Sequence, residues 1–438
     1  MNNGTKLFAV TGHPILHSKT PVLFRGAYPR PDDDSTFFRV AARSAGEALR
    51  LFEELGLSGM NVTAPFKGEI AALVARRSPE VEALGAANVV TRDKDGLVAH
   101  NTDPDGVTGA LAAAGVEIRD KNCLVLGAGG AGSAAARALQ RAGGRVTIAN
   151  RNGDKAREVA ARLDCAHAAL DGEIADRVAR AGIIVNALPP GVEIIEKEWL
   201  APRHVVLDAI YHHSYLQERA IAARATYVNG YAWLIHQGIP AYRLFTGKEP
   251  DARGMEEALV ALPPLPRHVA FVGFMGTGKS TVARLVARKL GMPLADSDRI
   301  LERRQGKSIP RWIQEEGEPS FRDKEFELLR ELLLDAAPSV ISCGGGAIMH
   351  PVTRQLLREC SLVIWLHAAP RLCVGRIKVA TRPLLARHEQ PEVAAETIFE
   401  ERKPLYASVA RLLVDTSARS PEQVSQIIHE EIRTCIRG

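Results

Sequence analysis

The chain contains, at residues 262–280, the run LPPLPRHVAFVGFMGTGKS. Its three prolines can propagate neither a helix nor a central strand, so we expect an extended joint at residues 263–267. An apolar strand at 269–272 follows, then the loop GFMGTGKS, and then a helical pattern from Thr281 to Leu290. A GxxxxGK[ST] loop between a strand and a helix points backbone N–H groups at phosphate oxygens. Residues 273–280 therefore predict a nucleotide site, in which Lys279 reaches the terminal phosphates and Ser280 binds magnesium.

The nucleotide contacts expected from this motif lie in the loop and at the start of the helix. They are Gly276, Thr277, Gly278, Lys279, Ser280 and Thr281.

Length and composition limit the classes of protein to be considered. The chain has 438 residues, of which 46% are hydrophobic and 24% are charged, as in an ordinary soluble protein of about three domains. The net charge of +5 and the absence of a Lys/Arg-rich block argue against nucleic-acid binding. No apolar run approaches a membrane span, the N-terminus does not resemble a signal peptide, and the six cysteines are scattered. We therefore expect a cytoplasmic protein with reduced thiols, acting on small molecules; a homo-oligomer is left open.

A second glycine-rich loop precedes the first one in the chain. Residues 127–132 read GAGGAG, between a strand at 123–126 and a helix at 133–142, which satisfies the dinucleotide-binding pattern GxGxxG. The next strand ends in Asn150 and Arg151, where an NAD-binding protein normally has an acidic residue. An arginine at this position favours the additional phosphate of NADP. The predicted dinucleotide contacts are Gly127, Ala128, Gly129, Gly130, Ala131, Asn150 and Arg151. One more contact, Gly230, is implied only by the family resemblance given below.

Polar residues in the first 103 positions suggest a substrate site. Ser18 and Thr20 fit a polyhydroxylated or carboxylated ligand, although capping of a helix explains them equally well. Lys67 follows an apolar strand, where a lysine is more often solvated surface. Asp103 follows another strand, and a Lys67–Asp103 pair is able to exchange a proton with a bound hydroxyl. The sequence does not show whether the two residues meet.

Residues 5–262 resemble shikimate dehydrogenase. The resemblance is carried by residues 18–21, 61–67, 85–88, 101–103, 127–132, 150–151, 208–211 and 230–237. It implies reduction of 3-dehydroshikimate to shikimate by NADPH, with Lys67 and Asp103 as the catalytic pair. The substrate-lining residues that it implies are Ser18, Thr20, Thr63, Asn88, Asp103, Tyr211 and Gln237. The sequence departs from the family pattern at three places. Thr20 stands where serine is usual, which opens the alternative of a quinate/shikimate dehydrogenase. The other two are the loop NALPPG at 186–191 and the His212–His213 pair, which follows Tyr211 where a proline is usual.

The last third of the chain adds further charged and glycine-rich motifs. Asp296 and Asp298 are predicted to project from the same side of an extended segment. Arg322 lies in a helical region, and three glycines at 344–346 follow a strand. Arg382 is expected in a loop and Arg402 after a helix at 392–401; an arginine suits a carboxylate, although each one alone is more often solvated surface.

Residues 268–438 resemble shikimate kinase through the order of these motifs. The resemblance implies that Asp296 serves magnesium and that Asp298 orients the shikimate hydroxyl. Arg322 and Arg402 would hold the carboxylate, with Gly345 and Gly346 against the ring. Arg382 would belong to a lid over the phosphates, at 376–387, and Arg376 is assigned to the adenine.

The predicted fold class is α/β: a two-domain dehydrogenase with a Rossmann NADP domain, followed by a P-loop kinase with a parallel sheet. The expected domains are 1–103 with 237–262 for the dehydrogenase substrate, 104–236 for NADP, and 268–438 for the kinase. The two enzymes would serve aromatic amino acid (chorismate) biosynthesis. Their expected cofactors are NADP(H), ATP and Mg²⁺. We also expect the two enzymes to be separable at the joint. The alternatives are a quinate/shikimate dehydrogenase fused to the kinase, and a non-catalytic regulator of the pathway.

Overall fold

A computed structural model describes residues 5–28, 35–211, 214–261, 265–386 and 388–437. Among these residues, none of the helices combines the length and the apolar character that crossing a lipid bilayer requires. Three predicted features lie wholly or partly outside the described residues: residues 263–264 of the joint, the His212–His213 pair, and residue 387 of the lid.

The strands and helices are numbered in chain order. The strands are β1 Lys6–Thr11, β2 Ser35–Val40, β3 Gly59–Val62, β4 Arg76–Arg77, β5 Val89–Asp93, β6 Gly96–His100, β7 Asn122–Leu126, β8 Arg145–Asn150, β9 Ala166–Ala169, β10 Ile183–Asn186, β11 Val205–Asp208, β12 Thr226–Val228, β13 His268–Val272, β14 Leu294–Asp296, β15 Val340–Ser342, β16 Ser361–His367 and β17 Leu412–Asp415. The helices are α1 Thr20–Gly26, α2 Ala45–Leu55, α3 Lys67–Leu73, α4 Pro79–Leu84, α5 Asp103–Ala113, α6 Gly130–Arg141, α7 Gly153–Leu163, α8 Ile174–Arg180, α9 Tyr215–Ala222, α10 Gly230–Thr246, α11 Ala252–Val260, α12 Lys279–Leu290, α13 Ser297–Gln305, α14 Ile309–Leu334, α15 Pro351–Cys360, α16 Pro370–Gly375, α17 Pro383–Ala386, α18 Pro391–Val409 and α19 Pro421–Arg437. Short 3₁₀ turns are Lys197–Trp199, Ala347–Met349 and Val379–Thr381.

The chain forms two compact units. The first contains the described residues within Met1–Pro21, Asp32–Ala64 and Leu262–Gly438, and the second those within Val22–Pro31 and Pro65–Ala261. This division differs from the predicted domains, because the first three strands are grouped with the P-loop part of the chain. The reason is a direct strand pairing: β2 is hydrogen-bonded to β17 in parallel, with Arg39 opposite Leu412 and Val40 opposite Leu413.

In the first unit, the strands follow one another in the order β14-β15-β13-β16-β17-β2-β1-β3. Every neighbouring pair is parallel. The loop that follows β13 therefore opens at the carboxyl edge of a parallel sheet, which is where α/β proteins bind ligands.

In the second unit, a six-stranded parallel sheet has the order β12-β11-β10-β7-β8-β9. Successive residues of a strand point to opposite faces, so Cys123 and Val125 enter one apolar cluster while Leu124 and Leu126 enter another. Apolar residues at every strand position are typical of a sheet covered on both sides. In the same unit, β6 pairs with β5 in antiparallel and with β4 in parallel orientation.

Several local predictions were wrong in detail. Asp296 ends β14 and caps α13, where its Oδ1 accepts a hydrogen bond from the Arg299 N–H, and Asp298 lies in the first turn of that helix rather than on an extended segment. Arg402 lies inside α18 instead of after it, because Pro404 is accommodated within the helix. Helix α1 begins at Thr20, so Thr20 lies in its first turn and Ser18 two positions before it.

Candidate active sites

Lys67 and Asp103 meet. Lys67 opens α3 just after β3, and Asp103 opens α5 just after β6. The Lys67 Nζ lies 2.5 Å from Asp103 Oδ2, and the side chains are 21% and 4% exposed. Lys67 is therefore the partner of a buried carboxylate and not a solvated surface lysine.

Asp103 is held by three further hydrogen bonds. Asn88 Nδ2 donates to the other carboxylate oxygen, Oδ1, at 2.8 Å. The Asp103 N–H donates to Asn101 Oδ1 at 3.0 Å, and Trp233 Nε1 donates to the Asp103 carbonyl at 3.1 Å. Both carboxylate oxygens of Asp103 are hydrogen-bonded, and its backbone is fixed. The carboxylate therefore holds the Lys67 ammonium group in one orientation, as a proton-transfer pair requires.

Tyr211 and Gln237, the other substrate residues predicted in this unit, lie on different elements. The Tyr211 ring stacks on Tyr231 with centroids 5.4 Å apart. Burial of the hydroxyl, reinforced by the charge of Asp103, raises the pKa of Tyr211 to about 12, although 39% of the residue is exposed. The phenol is thus a neutral hydrogen-bonding group. Gln237 lies on α10 with its Cβ close to Gly106, where an added methyl group would come within 2.8 Å of it.

Ser18, Thr20 and Thr63 belong to the first unit. Ser18 Oγ donates to Thr20 Oγ1 at 3.2 Å and accepts from the Thr20 N–H at 3.4 Å. The two hydroxyls therefore form a pair at the start of α1, and the capping interpretation and the ligand interpretation are compatible. The Thr63 N–H continues the β3–β1 pairing by donating to the Thr11 carbonyl at 2.9 Å.

The loop at 127–132 has the geometry of a dinucleotide-binding turn. Gly127 has a φ of 106°, and a Cβ there would lie 2.8 Å from the Ala187 carbonyl oxygen. A Cβ at Gly132 would lie 1.9 Å from the Gly127 carbonyl oxygen, whereas one at Gly129 would meet nothing within 4 Å. The first and last glycines thus permit close packing of strand, turn and helix, and the middle one leaves open space for a pyrophosphate.

The residues that follow β8 lie beside this loop. Asn150 Oδ1 accepts a hydrogen bond from the Ala128 N–H at 3.4 Å, and Asn150 Nδ2 donates to the Asn152 carbonyl at 3.0 Å. Arg151 is exposed. Its guanidinium is placed after the second strand of the sheet, at the position that distinguishes NADP from NAD.

The P-loop is shaped by glycines in the left-handed region. Gly276 and Gly278 have φ values of 82° and 87°. A Cβ at Gly276 would lie 2.5 Å from the Cys373 carbonyl oxygen, and one at Gly273 would lie 2.3 Å from the Leu366 carbonyl oxygen. A residue with a side chain would therefore clash at Gly273 and Gly276. The turn that these glycines form leads directly into the N-terminus of α12.

Lys279 bends back over the loop. Its Nζ donates to the carbonyl oxygens of Gly273 and Phe274, both at 2.9 Å. Burial lowers the pKa of Lys279, and the nearby Asp298 carboxylate opposes that shift. A cavity of about 420 Å³ lies above the loop, and it is large enough for the phosphates of a nucleotide. Its lining includes the predicted residues Gly276, Thr277, Gly278, Lys279, Ser280, Thr281, Asp298, Gly345, Arg376 and Arg382.

Polar residues lie at and just after the ends of β14 and β15, and of these Asp298 lines the cavity together with Ser280. Ser280 Oγ lies 3.4 Å from Ser342 Oγ, and the Gly344 N–H donates to Ser297 Oγ at 3.0 Å. Burial raises the pKa of Asp298, again against the effect of Lys279. Ser280 and Asp298 thus offer this cavity hydroxyl and carboxylate oxygens, the ligands that Mg²⁺ prefers. Asp296, the other predicted magnesium residue, lines a separate cavity with Arg299 and Ile300.

Two arginines lie beside the glycine turn at 344–346. A Cβ at Gly346 would come 2.4 Å from the guanidinium of Arg322, so only glycine allows this approach. Arg402 is 8% exposed, and its Nη1 donates to the Gly345 carbonyl at 3.3 Å. The Tyr406 hydroxyl donates to the same carbonyl at 2.7 Å. Both guanidinium groups are therefore fixed against the turn that is predicted to face the substrate ring.

Arg376 and Arg382 both line the cavity above the P-loop. Arg376 Nη2 donates to the carbonyl oxygens of Thr416 and Ser417 at 2.9 and 2.8 Å. Arg382 is exposed, and it precedes the short helix α17 instead of lying in a continuous loop. Arg382 is thus an exposed cation in the lining of the cavity.

Comparisons with known proteins match both parts of the chain. Family models for the shikimate dehydrogenase substrate binding domain, shikimate / quinate 5-dehydrogenase and the shikimate 5′-dehydrogenase C-terminal domain match residues 10–90, 110–206 and 234–260. The shikimate kinase model matches residues 275–433. The chain is 36% identical over 269 residues to a shikimate dehydrogenase (NADP(+)) of Anaeromyxobacter dehalogenans, covering 59% of this chain and 96% of that protein. It is 39% identical over 168 residues to a shikimate kinase of Enterococcus faecalis, covering 38% of this chain and 98% of that protein.

The chain belongs to both families. A solved structure of the Thermus thermophilus shikimate 5-dehydrogenase, in complex with NADP(H) and shikimate, superposes with a TM-score of 0.53 at 31% identity. The match covers 58% of this chain and 98% of that one. The predicted α/β fold class and the predicted fusion of a shikimate dehydrogenase with a shikimate kinase are thus confirmed.

Two residues of the candidate sites were missed at the sequence level. Glu325, in the kinase-family part, is 3% exposed, and its Oε2 accepts a hydrogen bond from Arg322 Nη1 at 2.5 Å. Burial raises the pKa of Glu325, and the Arg322 charge opposes that shift. Its spacing of three positions after Arg322 on one helix was the available signal. Trp233, in the dehydrogenase-family part, lies one helical turn before Gln237, and nothing in its neighbours in the sequence indicated a bond to Asp103.

Proposed function

We propose that the chain is a bifunctional enzyme of aromatic amino acid (chorismate) biosynthesis. Its first part reduces 3-dehydroshikimate to shikimate with NADPH, and its last part phosphorylates shikimate to shikimate 3-phosphate with Mg–ATP. This proposal is carried by two features that occur in one chain belonging to both families. One is the Lys67–Asp103 pair at 2.5 Å, and the other is the P-loop lysine, which lines a cavity of about 420 Å³.

In the dehydrogenase reaction, Lys67 and Asp103 handle the proton. NADPH, when bound, supplies the hydride to the substrate carbonyl carbon. Lys67 donates a proton to the carbonyl oxygen, and in the reverse reaction it accepts the hydroxyl proton, with Asp103 stabilising the charge of the ammonium group. Ser18, Thr20, Thr63, Asn88, Tyr211 and Gln237 provide hydroxyl, amide and phenol groups that suit a polyhydroxylated carboxylic acid.

NADPH rather than NADH is supported by the loop and by the arginine after β8. Gly129 leaves open space at the turn, and Arg151 is exposed and positively charged. A guanidinium is suited to bidentate hydrogen bonding with a phosphate.

In the kinase reaction, the chain's own residues position the reactants and balance charge. Lys279 and Arg382 neutralise the transferred phosphate, Arg322 and Arg402 hold the shikimate carboxylate, and Asp298 orients the attacking hydroxyl. Lys279 must release the carbonyls of Gly273 and Phe274 to reach a phosphate, and these are neutral partners that an anion displaces.

Magnesium suits the hydroxyl of Ser280 and the carboxylate of Asp298 in the cavity, and Asp296 lies two positions before Asp298. Among the described residues, no group of three His, Cys, Asp or Glu side chains is arranged to hold a metal ion. Mg²⁺ does not need such a cage, because it keeps several waters and takes most of its remaining ligands from the nucleotide. Ser280 and Asp296 would hold it, and the ion would neutralise phosphate charge.

We also propose a cytoplasmic location. All six cysteines are free, which suits a reducing compartment. The oligomeric state is best measured directly by light scattering.

One coupled assay tests the proposed function. Purified protein is supplied with 3-dehydroshikimate, NADPH and Mg–ATP, and the loss of NADPH absorbance is followed together with the formation of ADP and shikimate 3-phosphate. We expect both signals, with ADP formation dependent on prior NADPH oxidation. If the protein binds these ligands but turns over neither substrate, the alternative of a non-catalytic regulator is correct.

A further inference from the structure

The two family parts share a junction inside the first unit. Strand β2, from the dehydrogenase-family part, pairs with β17 of the kinase-family part, and the Ala41 N–H extends the pairing by donating to the Leu413 carbonyl at 2.9 Å. Phe38 and Trp365 pack across it with ring centroids 5.6 Å apart, and both are buried. The junction is thus a continuous sheet with an aromatic core and not a flexible tether.

Glu431, on the last helix of the kinase-family part, holds a loop of the dehydrogenase-family part. The residue is 1% exposed. Its Oε2 accepts hydrogen bonds from the N–H groups of Ile15 and Leu16 at 2.8 and 2.7 Å. The Ser18 N–H in turn donates to the Ile15 carbonyl at 2.9 Å, so the loop held by Glu431 leads directly to the Ser18–Thr20 hydroxyl pair.

Arg39 strengthens the same connection. Its Nε donates to the Ser18 carbonyl at 3.0 Å, and its Nη1 donates to the Arg411 carbonyl at 3.3 Å. One guanidinium therefore joins the start of the hydroxyl pair to the residue that precedes β17. The backbone of the proposed shikimate-binding loop is fixed on two sides by contacts that reach the kinase-family part.

Glu47 makes a contact in the other direction, from the dehydrogenase-family part to the kinase-family part. It lies on α2, in the dehydrogenase-family part, and both of its carboxylate oxygens accept hydrogen bonds from Arg419, each at 2.6 Å. Arg419 lines the cavity above the P-loop, and its Nη1 also donates to the Asp415 carbonyl at 3.1 Å. The side chains of Glu47 and Arg419 are only 10% and 17% exposed. A two-point contact of this kind fixes the plane of the guanidinium.

We infer that each family part supplies a buried carboxylate that positions a ligand-binding element of the other part. Glu431 positions the Ser18–Thr20 loop of the dehydrogenase, and Glu47 positions Arg419 at the nucleotide cavity of the kinase. This inference rests on the proposed function. Both glutamates are positioning residues, because neither is assigned a contact with a substrate. The halves are then not separable at the joint, against the expectation drawn from the proline-rich run.

The test is a crossed set of substitutions in the full chain. Glu431→Ala leaves two buried N–H groups without an acceptor and should raise the dehydrogenase KM for shikimate about tenfold, with the KM for NADP and all kinase constants unchanged. Glu47→Ala should raise the kinase KM for ATP about tenfold, with the KM for shikimate in the kinase reaction and all dehydrogenase constants unchanged. Glu431→Gln and Glu47→Gln keep the size and one acceptor oxygen, so each should restore part of the loss.

The matched controls are glutamates on the same two helices. Glu430→Gln removes an exposed carboxylate next to Glu431, one that pairs with Arg43 at 3.0 Å, and Glu53→Gln removes an exposed one on α2. Both should leave both activities within about twofold of the wild type.

The crossed pattern separates positioning from general destabilisation. A variant that loses both activities together, or loses the activity of its own family part, would overturn the inference, and so would wild-type constants in all four Ala and Gln variants. If an Ala variant does not fold, the corresponding Gln variant decides. Failure of the proposed function appears differently, as a wild-type protein without one or both activities.

Discussion

The two candidate sites each contain one central lysine, and the two lysines are held in different ways. Lys67 Nζ lies 2.5 Å from the Asp103 carboxylate, whereas Lys279 Nζ donates to two neutral carbonyl oxygens at 2.9 Å. Lys67 is thus part of an ion pair that is complete within the protein. Lys279 is a half-buried cation near Asp298 whose direct hydrogen-bonding partners are neutral.

This difference corresponds to the chemistry of each reaction. Hydride transfer to a carbonyl requires a proton at a defined place, and a fixed Lys–Asp pair provides one. Phosphoryl transfer requires positive charge where phosphate charge is concentrated, and a lysine with neutral partners is available to move to it.

The largest expected effect tests the paired lysine. Lys67→Ala should lower the kcat of dehydroshikimate reduction by roughly 10²–10⁴, because the proton donor is lost. The KM for NADPH should barely change, and kinase turnover of the same preparation serves as the folding control. Near-full dehydrogenase turnover in this variant would show that Lys67 is not the proton donor.

The lysine of the P-loop is tested by Lys279→Ala. Loss of an electrostatic contact to the transferring phosphate should lower the kinase kcat by about 10²–10³, while NADP-linked shikimate oxidation stays normal. Lys289→Ala, at the exposed end of the same helix and bonded to Gln426, is the matched control. Wild-type phosphorylation by the Lys279→Ala variant would contradict the role of Lys279 at the transferring phosphate.

A smaller effect is expected for cofactor choice. Arg151→Ala should raise the KM for NADPH by roughly 10–100-fold, which corresponds to the loss of a charge-assisted contact of about 1.5–3 kcal/mol. The KM for NADH should change little, because NADH lacks the additional phosphate. Equal changes for both cofactors would contradict the role of Arg151. The exposed Arg157→Ala, on the following helix, is a suitable control.

The smallest effect concerns the substrate range of the dehydrogenase. Thr20 contacts Ser18 through its hydroxyl, and Thr20→Ser keeps that contact while removing one methyl group. One methyl group in a pocket contributes about 1–3 kcal/mol of discrimination. Because Thr20→Ser keeps the hydroxyl contact, we expect the lower end of that range, which is a change of about tenfold in the shikimate-to-quinate ratio of kcat/KM. We expect the wild type to prefer shikimate. Quinate oxidation as efficient as shikimate oxidation would favour the quinate/shikimate interpretation of this part.

The glycine loops were predicted from sequence because their geometry is local. A strand, a tight turn and a helix N-terminus depend on residues within about 20 positions, and the glycines at 127, 132, 273 and 276 are required by contacts that a Cβ would violate. The candidate residues of both loops consequently lie where the motifs indicated. In contrast, Asp296 and Asp298 were predicted on one extended segment, although Asp296 caps α13 and Asp298 lies inside that helix. A helix cap and an extended segment have similar short sequences, which explains the error.

The sequence by itself determined the α/β class, the two phosphate-binding loops and the identity of their charged residues, because hydrophobic periodicity and turn chemistry are read over short distances. It named Lys67 and Asp103 but did not bring them together, since their contact depends on how the first turns of α3 and α5 are placed within the second unit. Only the tertiary structure decided that β2 pairs with β17, and that Glu431 and Glu47 reach across this junction. An exposed strand edge accepts any partner with matching backbone groups, so the choice of partner is made by the side chains that pack around it, which lie far apart in the sequence.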